Sequence, residues 1–431
     1  MALRVVRMLE RGLTMHLTAP VRVAVIDIAA PLADLNCSRP ESPPYTAAWI
    51  LVCRAGRPLG SVEMPLRRPV IAAAELADEL YRQFGDGWIQ QPHHAVPVPL
   101  ARASVVVPSN FARPVPLEQC LKSLAELDHP DYEVIVVDNR PAGAAVAGSE
   151  PAGIERVRVV REPRPGISAA RNRGVSVATG EIIAFTDDDV QVHPGWLRAL
   201  GSRFARQPHA SAVTGLVVPL ELETNAQVLF EQSGSGLDRG FAPLTFQRAK
   251  RGGRFTVRRR DERAGTEQVR SIYLTGEYGL GSNMAFRTAV LQAAGGFDEA
   301  LGVGTRTRGG EDLAMLVELL MAGHELAYEP TAIIQHQHRG TDAELERQLH
   351  GYGVGETAML TAIALRDPRH LIGVAGIVPA WLRSLRDTSS AKRVNRDRDY
   401  PPALARAEFR GMLAGPAEYL RARWAQHRWR P

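Results

Sequence analysis

Cysteine is scarce in this 431-residue chain: Cys37, Cys53 and Cys120 are odd in number and are not spaced as metal-binding pairs. So sparse a set argues against a structural disulfide and reads as reduced thiols of a cytosolic protein. Long apolar runs are missing as well. Arg4, Arg7, Glu10 and Arg11 interrupt the N-terminal stretch, which leaves no clean export core. The longest candidate span, residues 371–382, falls well short of the ~20 apolar residues a membrane-crossing helix needs and is broken by Pro379. No internal repeat is found.

What remains is a globular composition, 45% apolar, in a chain whose length suggests two or three domains. A formal charge of +5 and a pI near 9.3 fit an anionic partner such as a nucleotide, phospholipid or polyphosphate. Apolar runs at 21–28 and 47–53 and a helical stretch at 72–84 suggest a small β-containing module. The prolines of 92–99 read as a stiff linker, so the expected division is an accessory α+β module at 1–98, an α/β domain at 99–340 and a helical, basic region at 341–431.

From Ser104 onward strands alternate with helices, the signature of βαβ units. Strands are expected at 104–108, 133–138, 157–160, 182–186 and 212–218, and helices at 117–127, 167–178 and 196–207. Residues 240–270, rich in Arg, Lys and Gly, read as a mobile loop. Leu313, Leu316, Val317, Leu320 and Met321 recur at helical spacing, which sets Glu311 and Asp312 at a helix N-terminus.

The stretch that carries most chemistry is Ile182-Ile183-Ala184-Phe185-Thr186-Asp187-Asp188-Asp189. A buried strand ending in carboxylates delivers them to the edge where open α/β sheets bind ligands. Residues i and i+2 share a face of an extended chain, so Asp187 and Asp189 point together toward one hard cation, Mg²⁺ or Mn²⁺, and Asp188 points away. Taken alone, the triplet is equally the cap of a following helix.

Company changes that balance. Val105-Val106-Val107-Pro108-Ser109-Asn110, Val136-Val137-Asp138-Asn139, Pro165-Gly166-Ile167-Ser168-Ala169-Ala170-Arg171-Asn172, Phe185-Thr186-Asp187-Asp188-Asp189 and Gly310-Glu311-Asp312 resemble, in order, the motifs of family 2 glycosyltransferases. The resemblance spans roughly residues 102–355 and implies a GT-A fold, a nucleotide-diphospho-sugar donor and a divalent metal. By position it implies Asp189, with Asp187 and His336, as metal ligands. It implies Asp312 as the general base, deprotonating an acceptor hydroxyl. Donor and acceptor contacts are then expected from Pro108, Asn110, Asp138, Arg171, Asn172, Asp187, Asp188, Asn283 and Glu311.

No Gln-x-x-Arg-Trp motif of processive synthases is present, so transfer of a single sugar is expected, and the family resemblance implies that it proceeds with inversion. The setting implied is cell-envelope, polysaccharide, glycolipid or natural-product glycosylation, with a carbohydrate, lipid-linked or small-molecule acceptor. A sugar nucleotidyltransferase shares an acidic edge but consumes a triphosphate. A non-catalytic carbohydrate or nucleic-acid binder is the third class, motivated by the Arg- and Trp-rich C-terminus. For that tail two readings stand beside each other, a solvated helix and attachment to an anionic membrane surface on the cytoplasmic face, and nucleic acid is not expected.

Overall fold

Three runs, Val105–Val107, Val134–Val137 and Ile182–Phe185, are apolar without alternation, a pattern stable only where helices cover both faces of a sheet. A computed structural model describes residues 17–39, 42–85, 98–143, 156–233, 239–249, 255–384 and 400–427. Its first elements are β1 (Val21–Asp27), β2 (Leu35–Asn36), β3 (Ala47–Arg54), β4 (Arg57–Pro65), β5 (Val70–Ile71) and α1 (Ala73–Phe84). β1, β3 and β4 form one small sheet, and β2 pairs with β5. The β3–β4 turn places Ala55 and Gly56 at positive φ, where the Asp27 carboxylate accepts both of their N–H groups at 2.8 and 2.7 Å. The expected linker falls largely within 86–97, outside the described residues.

The large sheet follows: β6 (Ala103–Ser109), α2 (Pro114–Ala125), β7 (Tyr132–Asp138), β8 (Val157–Arg161), α3 (Ile167–Val177), β9 (Ile182–Phe185), β10 (Val190–Val192), α4 (Trp196–Arg206) and β11 (Ala210–Pro219). After α5 (Asn225–Gln232) come β12 (Leu244–Arg248), β13 (Thr256–Asp261), β14 (Thr266–Ser271), β15 (Met284–Arg287), α6 (Thr288–Ala293), α7 (Glu311–Met321) and β16 (Glu325–His336). The strand order is β14-β13-β12-β16-β11-β15-β9-β6-β7-β8, with β10 also paired to β16. β6 runs parallel to β7 and β9, so their carboxyl ends share an edge. One face packs on α2 and α4 and the other on α3 and α7, which makes an α/β layered domain. Leu216, Val218 and Ile333 also share a core with Val21, Trp49 and Leu51 of the small sheet.

The reading of 240–270 as a mobile loop is corrected here, because β12, β13 and β14 form an antiparallel ribbon joined to β16. Leu244, Phe246 and Val257 alternate with polar residues and are fully buried, enough apolar surface to hold the ribbon down despite its arginines. Residues 250–254 lie outside the description. The chain ends in α8 (Asp342–Arg366), α9 (His370–Ser384) and α10 (Pro402–His427). α8 and α10 approach backbone to backbone: a Cβ on Gly353 would meet the Glu408 carbonyl oxygen. No helix among the described residues is long and apolar enough to cross a membrane.

Candidate active site

The parallel pairing of β6 with β7 sets Ser109 opposite Asp138 at the sheet edge, and β9 delivers Asp187 just beyond Phe185 on the other side of β6. After the acidic triplet the chain reverses into β10, which pairs antiparallel with the end of β16 so that Val190 faces His336. The Gln337 N–H closes that corner on the Asp189 carbonyl at 3.0 Å. Residues almost 150 positions apart are thereby made neighbours by strand register alone.

Asp187, Asp189 and His336 each turn a ligand atom into one cluster, all within 4.8 Å of one another. Two carboxylate oxygens and an imidazole nitrogen suit a hard divalent ion such as Mg²⁺ or Mn²⁺, so the residues fit the implied metal. Asp188 points the other way, accepting from Ser109 Oγ at 2.6 Å and from Arg113 at 3.1 Å. It fastens the turn to β6 and α2.

Arg113 also meets Asp189 at 2.7 Å, and His336 Nε2 lies 3.3 Å from the other Asp189 oxygen. Burial pushes the Asp189 carboxyl up, but the His336 ring and the Arg113 guanidinium outweigh it and hold the group ionised well below the usual carboxylate range. At Asp187 burial dominates: the carboxyl is raised despite Arg171, with the Asp189 charge adding to the shift. A cation placed between them relieves that repulsion.

On the far side of β6, Asp138 is held by Arg140 at 2.8 Å and Arg161 at 2.5 Å. Burial raises its carboxyl, and the hydrogen bonds from these arginines bring it below its ordinary range. Arg140 stacks on Phe111, 4.7 Å from the ring centre. Asn110 is exposed, its side chain accepting from the Ala112 N–H at 3.0 Å, and Pro108 is buried within β6.

Arg171 is where the structure departs most from expectation. The side chain is 1% exposed and sits behind the crevice between Phe185 and Phe297, about 5.8 and 5.7 Å from their ring centres. It binds Glu311 at 2.6 Å, the Gly281 carbonyl at 3.1 Å and Asp187 at 3.5 Å. So it clamps three segments together, its guanidinium turned to protein partners. Glu311 is equally withdrawn: it is 5% exposed, its second oxygen is buried without a partner, and burial and the adjacent Asp312 raise its carboxyl despite Arg171. Expected to contact the acceptor, Glu311 is here paired with Arg171.

Two more expected contacts turn inward. Asn283 is fully buried, donating to the Leu216 and Ala332 carbonyls at 2.9 and 2.8 Å and accepting from Trp196 Nε1 at 2.8 Å, which seals the irregularity between β11 and β16. Asn172 clasps the Phe297 backbone through both its oxygen and its nitrogen. A buried polar group must be satisfied somewhere, and here the backbone satisfies it.

Asp312 keeps partial exposure at the first turn of α7, with one oxygen accepting from the Gly281 N–H at 2.7 Å and the other from its own helix at Leu313. Gly310, ahead of the helix, has φ 89°, and a Cβ there would lie 2.4 Å from the Gly355 carbonyl. Glycine thus sets where α7 begins. Through Gly281, which touches both Asp312 and Arg171, the helix start is tied to the acidic strand end. Arg171→Met is expected to cost about 3–5 kcal/mol, since it strands a buried carboxylate, and the chemical-denaturation midpoint measures it. A midpoint close to wild type contradicts the clamp.

Residues 104–292 match the sequence profile of Glycosyl transferase family 2. Over those residues the chain is similar to the family 2 glycosyltransferases. It is similar to the pre-mycofactocin glycosyltransferase of Mycobacterium tuberculosis, 28% identical over 253 residues, 58% of this chain and 46% of that protein. It is also similar to the glucosyl-dolichyl phosphate glucuronosyltransferase of Haloferax volcanii, 28% identical over 183 residues, 42% of this chain and 50% of the relative. The chain thus spans about half the length of these curated relatives. Among solved structures, a mannosyltransferase from Pyrobaculum calidifontis in complex with GDP-Man and Mn²⁺ aligns at a TM-score of 0.44 and 18% identity, covering 80% of this chain and 94% of that one.

The α/β domain holds site residues that sequence reading missed. Arg113 precedes the proline that starts α2 and carries no motif; only the fold brings it to Asp189. Arg339, 4.0 Å from Asp189, follows the two histidines and had a signal in its position. Arg161 sits on β8, paired in register with Asp138.

Proposed function

We propose that this protein transfers a single sugar from a nucleotide-diphospho-sugar to an acceptor hydroxyl, with inversion, using Mg²⁺ or Mn²⁺ at Asp187, Asp189 and His336. The observation that carries the proposal is the convergence of those three ligand atoms at the carboxyl edge of a domain similar to the family 2 glycosyltransferases. A divalent cation there supplies a Lewis acid for the charge that gathers on the departing diphosphate. Arg113 and Arg339 flank Asp189 and add positive potential on the same side.

Asp138, Asn110 and Pro108 line the nucleoside end of the edge in this reading. Asp312, fixed in orientation by Gly281 and Leu313, takes the proton of the acceptor hydroxyl as that oxygen attacks the anomeric carbon. Arg171 and Glu311 hold that helix start in register with the strand end and do not touch substrate. The glucosyl-dolichyl phosphate in the Haloferax volcanii relative's name makes a lipid-linked hydroxyl one acceptor class to try, beside free carbohydrates and small molecules.

The test is a screen of nucleotide-sugars for thermal stabilisation with and without metal. A ligand that binds only the folded state raises the melting temperature, by about 2.7 kcal/mol of stability at a hundredfold excess over Kd. One donor is expected to stabilise the protein only when Mn²⁺ or Mg²⁺ is present, and incubation with acceptor is expected to release a nucleoside diphosphate and a product of inverted anomeric configuration by proton NMR. Release of pyrophosphate from a triphosphate instead supports a nucleotidyltransferase and overturns the proposal.

A further inference from the structure

His336 faces the acidic pair through Nε2, and the partner of its other ring nitrogen sets that choice. Nδ1 of His336 lies 3.2 Å from Nδ1 of His338. Nε2 of His338 is in turn hydrogen-bonded to Oε1 of Glu231 on α5, 107 residues earlier in the chain. Two facing imidazole nitrogens bond only when one carries a hydrogen and the other a lone pair. A carboxylate accepts and does not donate, so the hydrogen of His338 lies on Nε2, toward Glu231. With a cation on its Nε2, His336 carries its hydrogen on Nδ1 and donates it to the Nδ1 lone pair of His338. The order of hydrogens leaves Nε2 as the nitrogen through which His336 can offer a lone pair to the Asp187 and Asp189 cluster.

The chain of contacts is firmly housed. His338 and Glu231 are 5% and 4% exposed, and the Phe230 ring packs on His338 with centres 4.4 Å apart. Gln227, which also closes the capping box of α5, donates to the His338 carbonyl at 3.3 Å. Burying a carboxylate beside an imidazole carries a desolvation cost that a purely structural wall of apolar residues avoids.

We propose that Glu231 and His338 act as a positioning relay that fixes the tautomer and ring plane of His336 for a divalent cation at Asp187 and Asp189. Neither residue touches the ion. This rests on the metal-site reading above. Outer partners of metal-bound histidines work in this way generally, and their loss weakens metal binding about 10–100-fold.

The experiment is Mn²⁺ titration of the full chain, with Mn²⁺ added alone and together with UDP or GDP, followed by pulsed electron paramagnetic resonance for nitrogen coupling from a bound imidazole. Wild type is expected to bind Mn²⁺ and show that coupling. His338→Phe and Glu231→Leu are expected to weaken Mn²⁺ about 10–100-fold and to lose or diminish the coupling. Glu231→Gln keeps an acceptor oxygen for His338 and is expected to restore the coupling, and His338→Phe serves as the loss variant if Glu231→Leu does not fold. Mn²⁺ affinity and nitrogen coupling equal to wild type in both His338→Phe and Glu231→Leu overturn the relay while leaving the metal site intact. A wild-type protein that binds no Mn²⁺ under either condition overturns the metal-site reading and the relay with it.

Discussion

Asp189→Ala should abolish the metal-dependent part of nucleotide-sugar binding. Of the three aspartates, Asp189 is the one most firmly ionised, because His336 and Arg113 approach it from two sides in a setting that burial makes poorly screened. Removing it leaves the cation with Asp187 and His336 only, and frees Arg113 and Arg339 from a compensating charge. Both changes disfavour a divalent ion. The same arginines still attract a diphosphate, so some affinity without metal is expected to survive. Calorimetric titration with and without Mn²⁺ is therefore the measurement, and the expected result is a metal-dependent gain that falls by about 100-fold or more. Retention of the wild-type gain in this variant removes Asp189 from the metal site.

Asp312→Asn should do the reverse. The amide keeps an oxygen for the Gly281 N–H and gives up only the acceptance from its neighbour Leu313, and Asp312 is not among the three residues whose ligand atoms converge. Folding and donor binding are expected to stay close to wild type. What is lost is the capacity to accept a proton from the acceptor oxygen, and general-base catalysis contributes about 10²–10⁴-fold. Sugar transfer at saturating donor and acceptor is expected to drop by about that factor. Transfer within about twofold of wild type is too small a loss for a general base and assigns Asp312 to α7 capping instead.

How far the sequence reaches differs from residue to residue. The strands β6, β7 and β9 were legible because unbroken Val and Ile runs have few other homes, and Asp187 with Asp189 was legible because a strand end fixes which residues share a face. The side chains of Arg171 and Glu311 were not. A helical position says nothing about which distant segments cover it, and here Phe185, Phe297 and Gly281 turn a motif arginine inward. Asn283, expected among the donor and acceptor contacts, turns inward as well. The polar partner it satisfies, the break between β11 and β16, exists only in three dimensions.

Composition misled at the β12–β14 ribbon. Nine basic and three acidic residues between 244 and 271 pointed to a loop, yet Leu244, Phe246 and Val257 at alternate positions were sufficient to dock it. Charge on one face of a strand does not oppose burial of the other. His338 stood out beside His336 after β16, but its pairing with Glu231 had no signal, since nothing in either segment announces the other across more than a hundred residues.

The most direct measurement is a parallel titration of one nucleotide-sugar, with and without Mn²⁺, into wild type, Asp189→Ala and Asp312→Asn, with transfer recorded on the same three proteins. The expected result is a crossing pattern: Asp189→Ala loses the response to Mn²⁺, and Asp312→Asn keeps it while losing transfer. Loss of Mn²⁺-dependent binding in Asp312→Asn, or its persistence in Asp189→Ala, contradicts the division of the site into a metal-holding strand end and a proton-accepting helix start.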